Sequence, residues 1–379
     1  MRKRNIFLLC AIAFLQGMVF YSAVATLYRQ AAGLSIFAIT AIEGASVALS
    51  MVLEVPWGWA ADRIGYRRTM IICDLLFLAT KIIFWKAGSF TGFLAERLLL
   101  AVVISGLSGV DSAMLYLSSE GSDAQRNEGF CRAAGEAGLL LSGFLYTMFL
   151  SGQYRRAALW TAIAYALAAA LTFMLTEVRP ESPGVKHPRI LSLAKEHFRL
   201  PGMLPLVVCS AVYCETVHCV TVYFSQLQYL RCGMGPRAVG AAFLAVSAAG
   251  LCGPLSGRMT RRWGKRPFGR ALLLISAICV LVLALTGRAL ISVFFIVLLS
   301  VLSALFIPLA WSAENDLVTS DDRATALSLN AMAGDSLAVL LDLGLGRAAD
   351  ASLPAAFGLC GMACLLAFGL LSRVFRRAG

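Results

Sequence analysis

Along its 379 residues the chain alternates long apolar stretches with short polar interruptions, and many of the stretches exceed the about 18 residues that a helix needs to cross a bilayer. With no water at that depth, a spanning segment has to satisfy its own backbone, so each is predicted as an α-helix. Twelve spans follow, at roughly 5–28, 36–60, 68–88, 91–118, 128–151, 156–177, 203–230, 237–259, 268–287, 289–313, 325–346 and 352–375. Short connections make successive spans antiparallel hairpins. The stretch 178–202 breaks the rhythm with Pro180, Pro183, Gly184, Pro188 and Pro201. It reads as a linker between two six-helix bundles, 1–177 and 203–379. Its later part, Ile190 to Leu200, is amphipathic and suited to lie along the membrane surface.

Composition agrees with the pattern. Hydrophobic residues make up 59% of the chain and charged residues 14%, too apolar a balance for a soluble surface. The fold class is therefore an all-α polytopic membrane protein. The net charge of +12 raises nucleic acid as a partner, but its placement argues against one. With the N-terminus inside, cytoplasmic segments carry 23 Lys and Arg, against eight on the opposite loops. That asymmetry puts both termini and the linker in the cytoplasm. The start, Met1 to Asn5 with a basic cluster, and Ser22-Ala-Val-Ala25 resemble a secretory signal, yet the apolar run is long and more spans follow, so an uncleaved first helix is expected. Eleven cysteines, almost all within apolar segments and none in a CxxC pair, read as small buried hydrophobes rather than a disulfide framework or zinc site.

A basic, glycine-punctuated loop occurs twice. Gly58, Asp62, Arg63, Gly65 and Arg67, followed by Arg68, recur 199 residues later as Gly257, Arg261, Arg262, Gly264 and Arg266. The first copy joins spans 2 and 3, the second spans 8 and 9. A repeat inside a membrane chain points to two related halves, a common transporter architecture. The glycines allow tight turning and close approach. The arginines hold the loop at the anionic inner leaflet, at about 1 kcal/mol each. Ordinary anchoring accounts for any one arginine, but not for the glycine spacing or the repetition.

The pattern G-x-x-x-D-R-x-G-x-R-R, in a twelve-span chain with a central linker, resembles the signature loop of the major facilitator superfamily. Ser108 to Tyr116 in span 4 and Arg323 to Ser328 at the start of span 11 are similar to stretches common in its bacterial members. The resemblance implies two pseudo-symmetric bundles working by alternating access. It implies that Asp62 helps lock the cytoplasmic side through arginine and the start of span 11, where Ser320, Asp321 and Asp322 are good caps. The second copy departs from the pattern with Arg261 in place of Asp62, so a latch in that half needs another partner. The resemblance also implies that spans 1, 4, 7 and 10 line a cavity, which points to Gln16, Tyr21, Arg97, Ser105, Glu215, His218, Ser303 and Trp311. Such a lining suits an amphipathic organic solute.

Charges inside the membrane cost at least about 2.5–3.5 kcal/mol each and need a reason. Glu54, Asp74 and Asp111 fall near cytoplasmic ends, where they can neutralise basic loops. Asp74 with Lys81, and Arg132 with Glu136, have the spacing of intrahelical pairs. Glu43, Glu215 and Asp335 are deeper and less obviously paired, and are the preferred proton-coupling candidates. Span 7 is the densest in polar groups. There Glu215, His218 and Cys219 share a face, open to three readings: a transition-metal site, a proton or substrate site, or a satisfied polar cluster.

The expected activity is secondary active transport of a small organic solute, with proton-coupled export preferred over import of a nutrient or metabolite. A membrane-embedded enzyme is disfavoured, because no HExxH, clustered metal set or nucleophile elbow is present. A non-transporting receptor on the same fold is the remaining alternative. No cofactor and no metal is assigned. The expected partners are the solute, protons and the lipid bilayer, for a monomer in a bacterial inner or plasma membrane.

Overall fold

The computed structural model describes residues 2–107, 110–119, 124–178, 197–317 and 323–377. Most of the linker, including the amphipathic stretch up to Glu196, and the capping segment Ser320 to Asp322 lie outside the described residues. No β-strand forms among the described residues. The helices are α1 (Arg2–Gly17), α2 (Ala25–Ala31), α3 (Ile36–Ile64), α4 (Tyr66–Lys86), α5 (Phe90–Leu107), α6 (Val110–Ser118), α7 (Ala124–Leu145) and α8 (Tyr154–Thr172). After the linker come α9 (Met203–His218), α10 (Ser225–Arg231), α11 (Pro236–Ala249), α12 (Ser256–Trp263), α13 (Lys265–Leu285), α14 (Ala289–Leu317), α15 (Arg323–Ala351) and α16 (Leu353–Arg377).

Among the described residues, ten helical stretches are long and apolar enough to cross a membrane. The 21-residue α4 and the 19-residue α8 fall where the third and sixth spans are expected, and each carries charged residues that lower its apolarity. The chain is thus a polytopic all-helical membrane protein. It divides into two compact units: Met1–Leu34 with Ala45–Gly184 and Pro236–Leu244, and Ser35–Gly44 with Val185–Gly235 and Ala245–Gly379.

Several predicted spans prove to be broken helices. In the first, α1 stops at Gly17 and a turn leads to α2. The Phe20 amide freed by the break donates to Thr161 Oγ1 of α8 at 2.9 Å, so the irregular backbone is satisfied by protein. In the seventh, a π-turn at Cys219–Phe224 separates α9 from α10. In the eighth, the 3₁₀ segment Gly250–Leu255, which contains Pro254, separates α11 from α12.

Glycines permit a close backbone approach in the first unit. A Cβ on Gly17 of α1 would lie 2.1 Å from the carbonyl oxygen of Gly135 on α7, and one on Gly138 equally close to that of Phe14. Only glycine lets these two backbones touch. This approach corrects the reading of all the cysteines as plain hydrophobes. Cys10 and Cys131, 4.3 Å apart at Cα, form a disulfide between α1 and α7. Helix packing, which sequence spacing does not reveal, creates the pair.

In the second unit, Asp350 near the end of α15 accepts hydrogen bonds from the Ile36 and Phe37 amides at 2.7 and 3.0 Å, capping α3. One helical turn before Asp350 along α15, Gly346 leaves room for Thr40, whose Oγ1 would lie 2.1 Å from a Cβ there. At the linker's end, buried His197 shares a 2.8 Å hydrogen bond with Asn330 of α15, and the Asn330 amide donates to Glu314 of α14 at 3.0 Å.

Candidate functional site

Among the described residues, a dense intramembrane polar cluster lies on the broken seventh span. Where α9 gives way to the π-turn, the i to i−4 ladder is interrupted, a feature common at functional sites. Side chains take up carbonyls there: Thr221 Oγ1 donates to the Val217 carbonyl at 2.8 Å and Ser225 Oγ to that of Thr221 at 2.7 Å. Gln226 donates to the Val222 carbonyl at 3.0 Å. A short run of Thr, Ser and Gln therefore sustains the irregular turn.

Immediately before it, Glu215, His218 and Cys219 converge with Asp342 of α15. Glu215 Oε1 accepts from His218 Nδ1 at 3.1 Å, in the tautomer protonated there, and faces Cys219 Sγ at 3.7 Å. The same thiol donates to Asp342 Oδ1 at 3.1 Å. Cys219 and Asp342 are buried, whereas the side chains of Glu215 and His218 keep 15% and 48% exposure. Glu43 of α3, also buried, stands within electrostatic reach of His218. The His218 ring packs edge-on against Tyr223, 5.4 Å between centroids. Two carboxylates, a thiol and an imidazole in so small a volume can exchange protons with one another or hold a cationic ligand.

The structure gathers some of the sequence candidates and disperses others. Glu215 and His218 come together, with Glu43 within electrostatic reach of His218. Asp335 is exposed on α15, two turns or about 10 Å along the helix from Asp342, the acid that reaches the cluster. Trp311 on α14 and Glu136 on α7 are exposed. In the first unit Gln16 donates to Asp74 Oδ1 at 2.9 Å, and Thr172 donates to the other oxygen. Lys81 donates to the Tyr21 hydroxyl at 3.3 Å and sits 4.8–4.9 Å from the ring centroids of Tyr165 and Phe77. Asp74 thus has amide and hydroxyl partners, and Lys81 aromatic ones. Arg97 approaches Glu96, whose carboxylate also faces the buried Arg29, each at 3.7 Å. Asp111 and Arg132 line a cavity of about 320 Å³ together with Gln16, Asp74 and Cys131.

The twin loops are built alike at their second glycine. Gly65 has φ 96° and ψ 147°, and Gly264 has φ 82° and ψ 150°, and each directly precedes a helix. Beyond that point they differ. Arg67 reaches the end of α8, where Nε donates to the Leu175 carbonyl at 2.5 Å and a terminal nitrogen to that of Phe173 at 2.8 Å. Its amide donates to Glu177 at 3.3 Å. Arg67 therefore does more than anchor at lipid, because it occupies carbonyls that the helix end leaves free. In the second copy Lys265 donates to Ser312 at 3.0 Å and pairs with Asp316, both on α14. Arg63, Arg68, Gly257, Arg261, Arg262 and Arg266 are exposed. Gly58 and Asp62 fall within α3, but their side-chain positions, like that of Glu54, lie outside the described residues.

From the sequence, Asp342 counts among the charges of span 11 but Asp335 is preferred to it, and Asp316 is not singled out. Both carried a signal, as acids in or beside an apolar span, but only the packing of α15 and α14 shows what they meet.

Comparison with known proteins supplies the wider frame. The model of the family described as Major Facilitator Superfamily matches residues 6–341. No curated protein sequence matches the chain. Among solved structures the fold is similar to the nucleoside transporter NupG, at 15% identity and TM-score 0.80, over 98% of this chain and 99% of that one. It is similar to a POT family transporter in complex with 5-aminolevulinic acid, at 13% identity and TM-score 0.78, over 97% and 95%. It is also similar to a bacterial homolog of the human lysosomal transporter Spinster, at 16% identity and TM-score 0.75, over 99% and 98%. At these identities the likeness is one of fold.

Proposed function

The chain belongs to the Major Facilitator Superfamily, and from that premise we propose that it moves a small organic solute across the membrane by alternating access, coupled to protons and in the direction of export. Membership puts it among membrane transporters rather than enzymes. The observation that carries the coupling is the Glu215–His218–Cys219–Asp342 cluster, with Glu43 beside it. Acids within a span are costly unless paired or used, and imidazole is the side chain whose unperturbed charge change falls nearest physiological pH. A coupling site needs groups that gain and lose a proton as their surroundings change, and this cluster supplies several within one another's reach.

Export rests on the resemblance of the Asp62 loop to that of bacterial relatives, and the solute class on the aromatic and sparsely charged character of the spans assigned to the cavity. Asp62 and the basic loop gate the cytoplasmic side in this reading. In this reading the protein works as a monomer in a bacterial inner membrane, and the Lys and Arg asymmetry supports both termini in the cytoplasm.

The test is counterflow and pH-driven flux in inside-out vesicles, with a panel of organic cations, nucleosides, peptides and amphipathic solutes. Uptake driven by an inside-acid gradient supports proton-coupled export. Flux indifferent to the gradient rejects the coupling, uptake only in right-side-out vesicles rejects the direction, and binding without flux favours a receptor.

A further inference from the structure

We propose that Glu215, Cys219 and Asp342 form a binding site for a borderline-soft divalent cation of the Zn²⁺ class. Their ligand atoms, one thiol sulfur and two carboxylate oxygens, all lie within 4.8 Å of one another. The sulfur is 3.1 Å from the Asp342 oxygen and 3.7 Å from the Glu215 oxygen. Around a tetrahedral ion with bonds of about 2.0 Å to oxygen and 2.3 Å to sulfur, ligand-to-ligand edges are about 3.3–3.5 Å. The sulfur–oxygen separations bracket the sulfur–oxygen edge, and the two carboxylate oxygens, within 4.8 Å of each other, draw in toward about 3.3 Å as the three ligands close on an ion.

The donor set selects among cations. A thiolate favours Zn²⁺, Co²⁺ and similar ions, whereas Mg²⁺ and Ca²⁺ require shells of oxygen. The ligands come from two helices, 123 residues apart for Cys219 and Asp342, so the site exists only in the folded protein. Cys219 and Asp342 are buried, while the partly exposed Glu215 leaves an approach to the site. His218 completes the arrangement from outside. Its Nδ1 bond to Glu215 fixes that carboxylate, as second-layer histidine–carboxylate contacts orient metal ligands elsewhere. On binding, the sulfur–metal bond forms as the thiol proton leaves to solvent. This cation site shares Glu215 and Asp342 with the proposed coupling site, so an ion and protons would compete for them. Metal binding is read without any flux measurement and stands whether or not transport is coupled.

The test is titration of the purified full-length protein with CoCl₂, following the near-ultraviolet thiolate-to-cobalt absorption, and then displacement by ZnCl₂. One Co²⁺ per chain is expected, displaced by Zn²⁺ and untouched by excess MgCl₂. Nine cysteines are free, so assignment requires variants. Cys219→Ser should abolish the absorption, and Asp342→Asn and Glu215→Gln should each weaken binding at least about tenfold, while Asp335→Asn should leave it unchanged. His218→Gln should weaken it about 10–100-fold without removing the sulfur signal. Melting curves without metal identify any variant that fails to fold, and the others then carry the test. No cobalt–thiolate absorption in the parent protein, or full-strength absorption in folded Cys219→Ser or Asp342→Asn, overturns the proposal.

Discussion

Gly65 and Gly264, 199 residues apart, hold nearly the same backbone conformation, with φ of 96° and 82° and ψ of 147° and 150°. This region of backbone space is closed to ordinary L-residues at a cost of about 1–3 kcal/mol. Each glycine turns the chain from one helix directly into the next. Gly65→Ala should lower stability by about that amount and more than Gly264→Ala. The added methyl at 65 would also meet Glu177 Oε2 at 2.8 Å, whereas at 264 its nearest neighbours are 3.6–3.7 Å away. Thermal melting of the two variants in detergent tests the order. A larger loss in Gly264→Ala would contradict this account.

Arg67 holds two carbonyls at the end of α8 through its guanidinium fork. Hydrogen bonds from a charged donor contribute about 1.5–3 kcal/mol, so Arg67→Gln should destabilise measurably. Arg67→Lys should not rescue it, since an ammonium cannot reproduce the fork. The neighbouring exposed Arg68→Gln should melt like the parent. Equal melting of Arg67→Gln and Arg68→Gln would reduce Arg67 to a lipid anchor.

The two loops should differ in function. Asp62→Asn is expected to impair flux far more than Arg261→Gln, because Arg261 is exposed and the second loop pairs through Lys265 and Asp316 instead. That pair is partly open to solvent, so Asp316→Asn should change stability by no more than about 1 kcal/mol, and less at high salt. Matching transport defects for Asp62→Asn and Arg261→Gln would remove the asymmetry.

Within the second unit, Glu215→Gln and Asp342→Asn should each abolish the response of flux to a pH gradient, while Asp335→Asn retains it. Downhill counterflow, which needs no net proton movement, should survive in all three. A pH response lost only in Asp335→Asn would move the coupling site away from the cluster.

The disulfide between α1 and α7 predicts a Cys10–Cys131 linked peptide in digests prepared without reductant. The link should vanish after dithiothreitol. Two separately alkylated cysteines in unreduced protein would show that the helices approach without bonding.

Much of the architecture was legible without coordinates. Apolar runs of bilayer length require helices, because only a helix satisfies its own backbone in lipid, and that requirement is local. The twin glycine loop is local as well, and it gave both the repeat and the family resemblance. What could not be read along the chain is which side chains meet. Asp335 and Asp342 lie on nearly the same face of α15, and only the height at which α15 packs against α9 brings Asp342 rather than Asp335 to Cys219. The helix break at Gly17 depends on a distant partner, Thr161 of another span, whereas the one at Cys219 is accompanied by local Thr, Ser and Gln side chains. The Cys10–Cys131 pairing follows from glycines that let two backbones touch. The sequence by itself determined the helical membrane class and the turning glycines, since those answer to hydropathy and backbone sterics. The tertiary structure alone decided the cluster on the seventh span, because contacts between distant segments depend on packing depth and rotation, which no periodicity records.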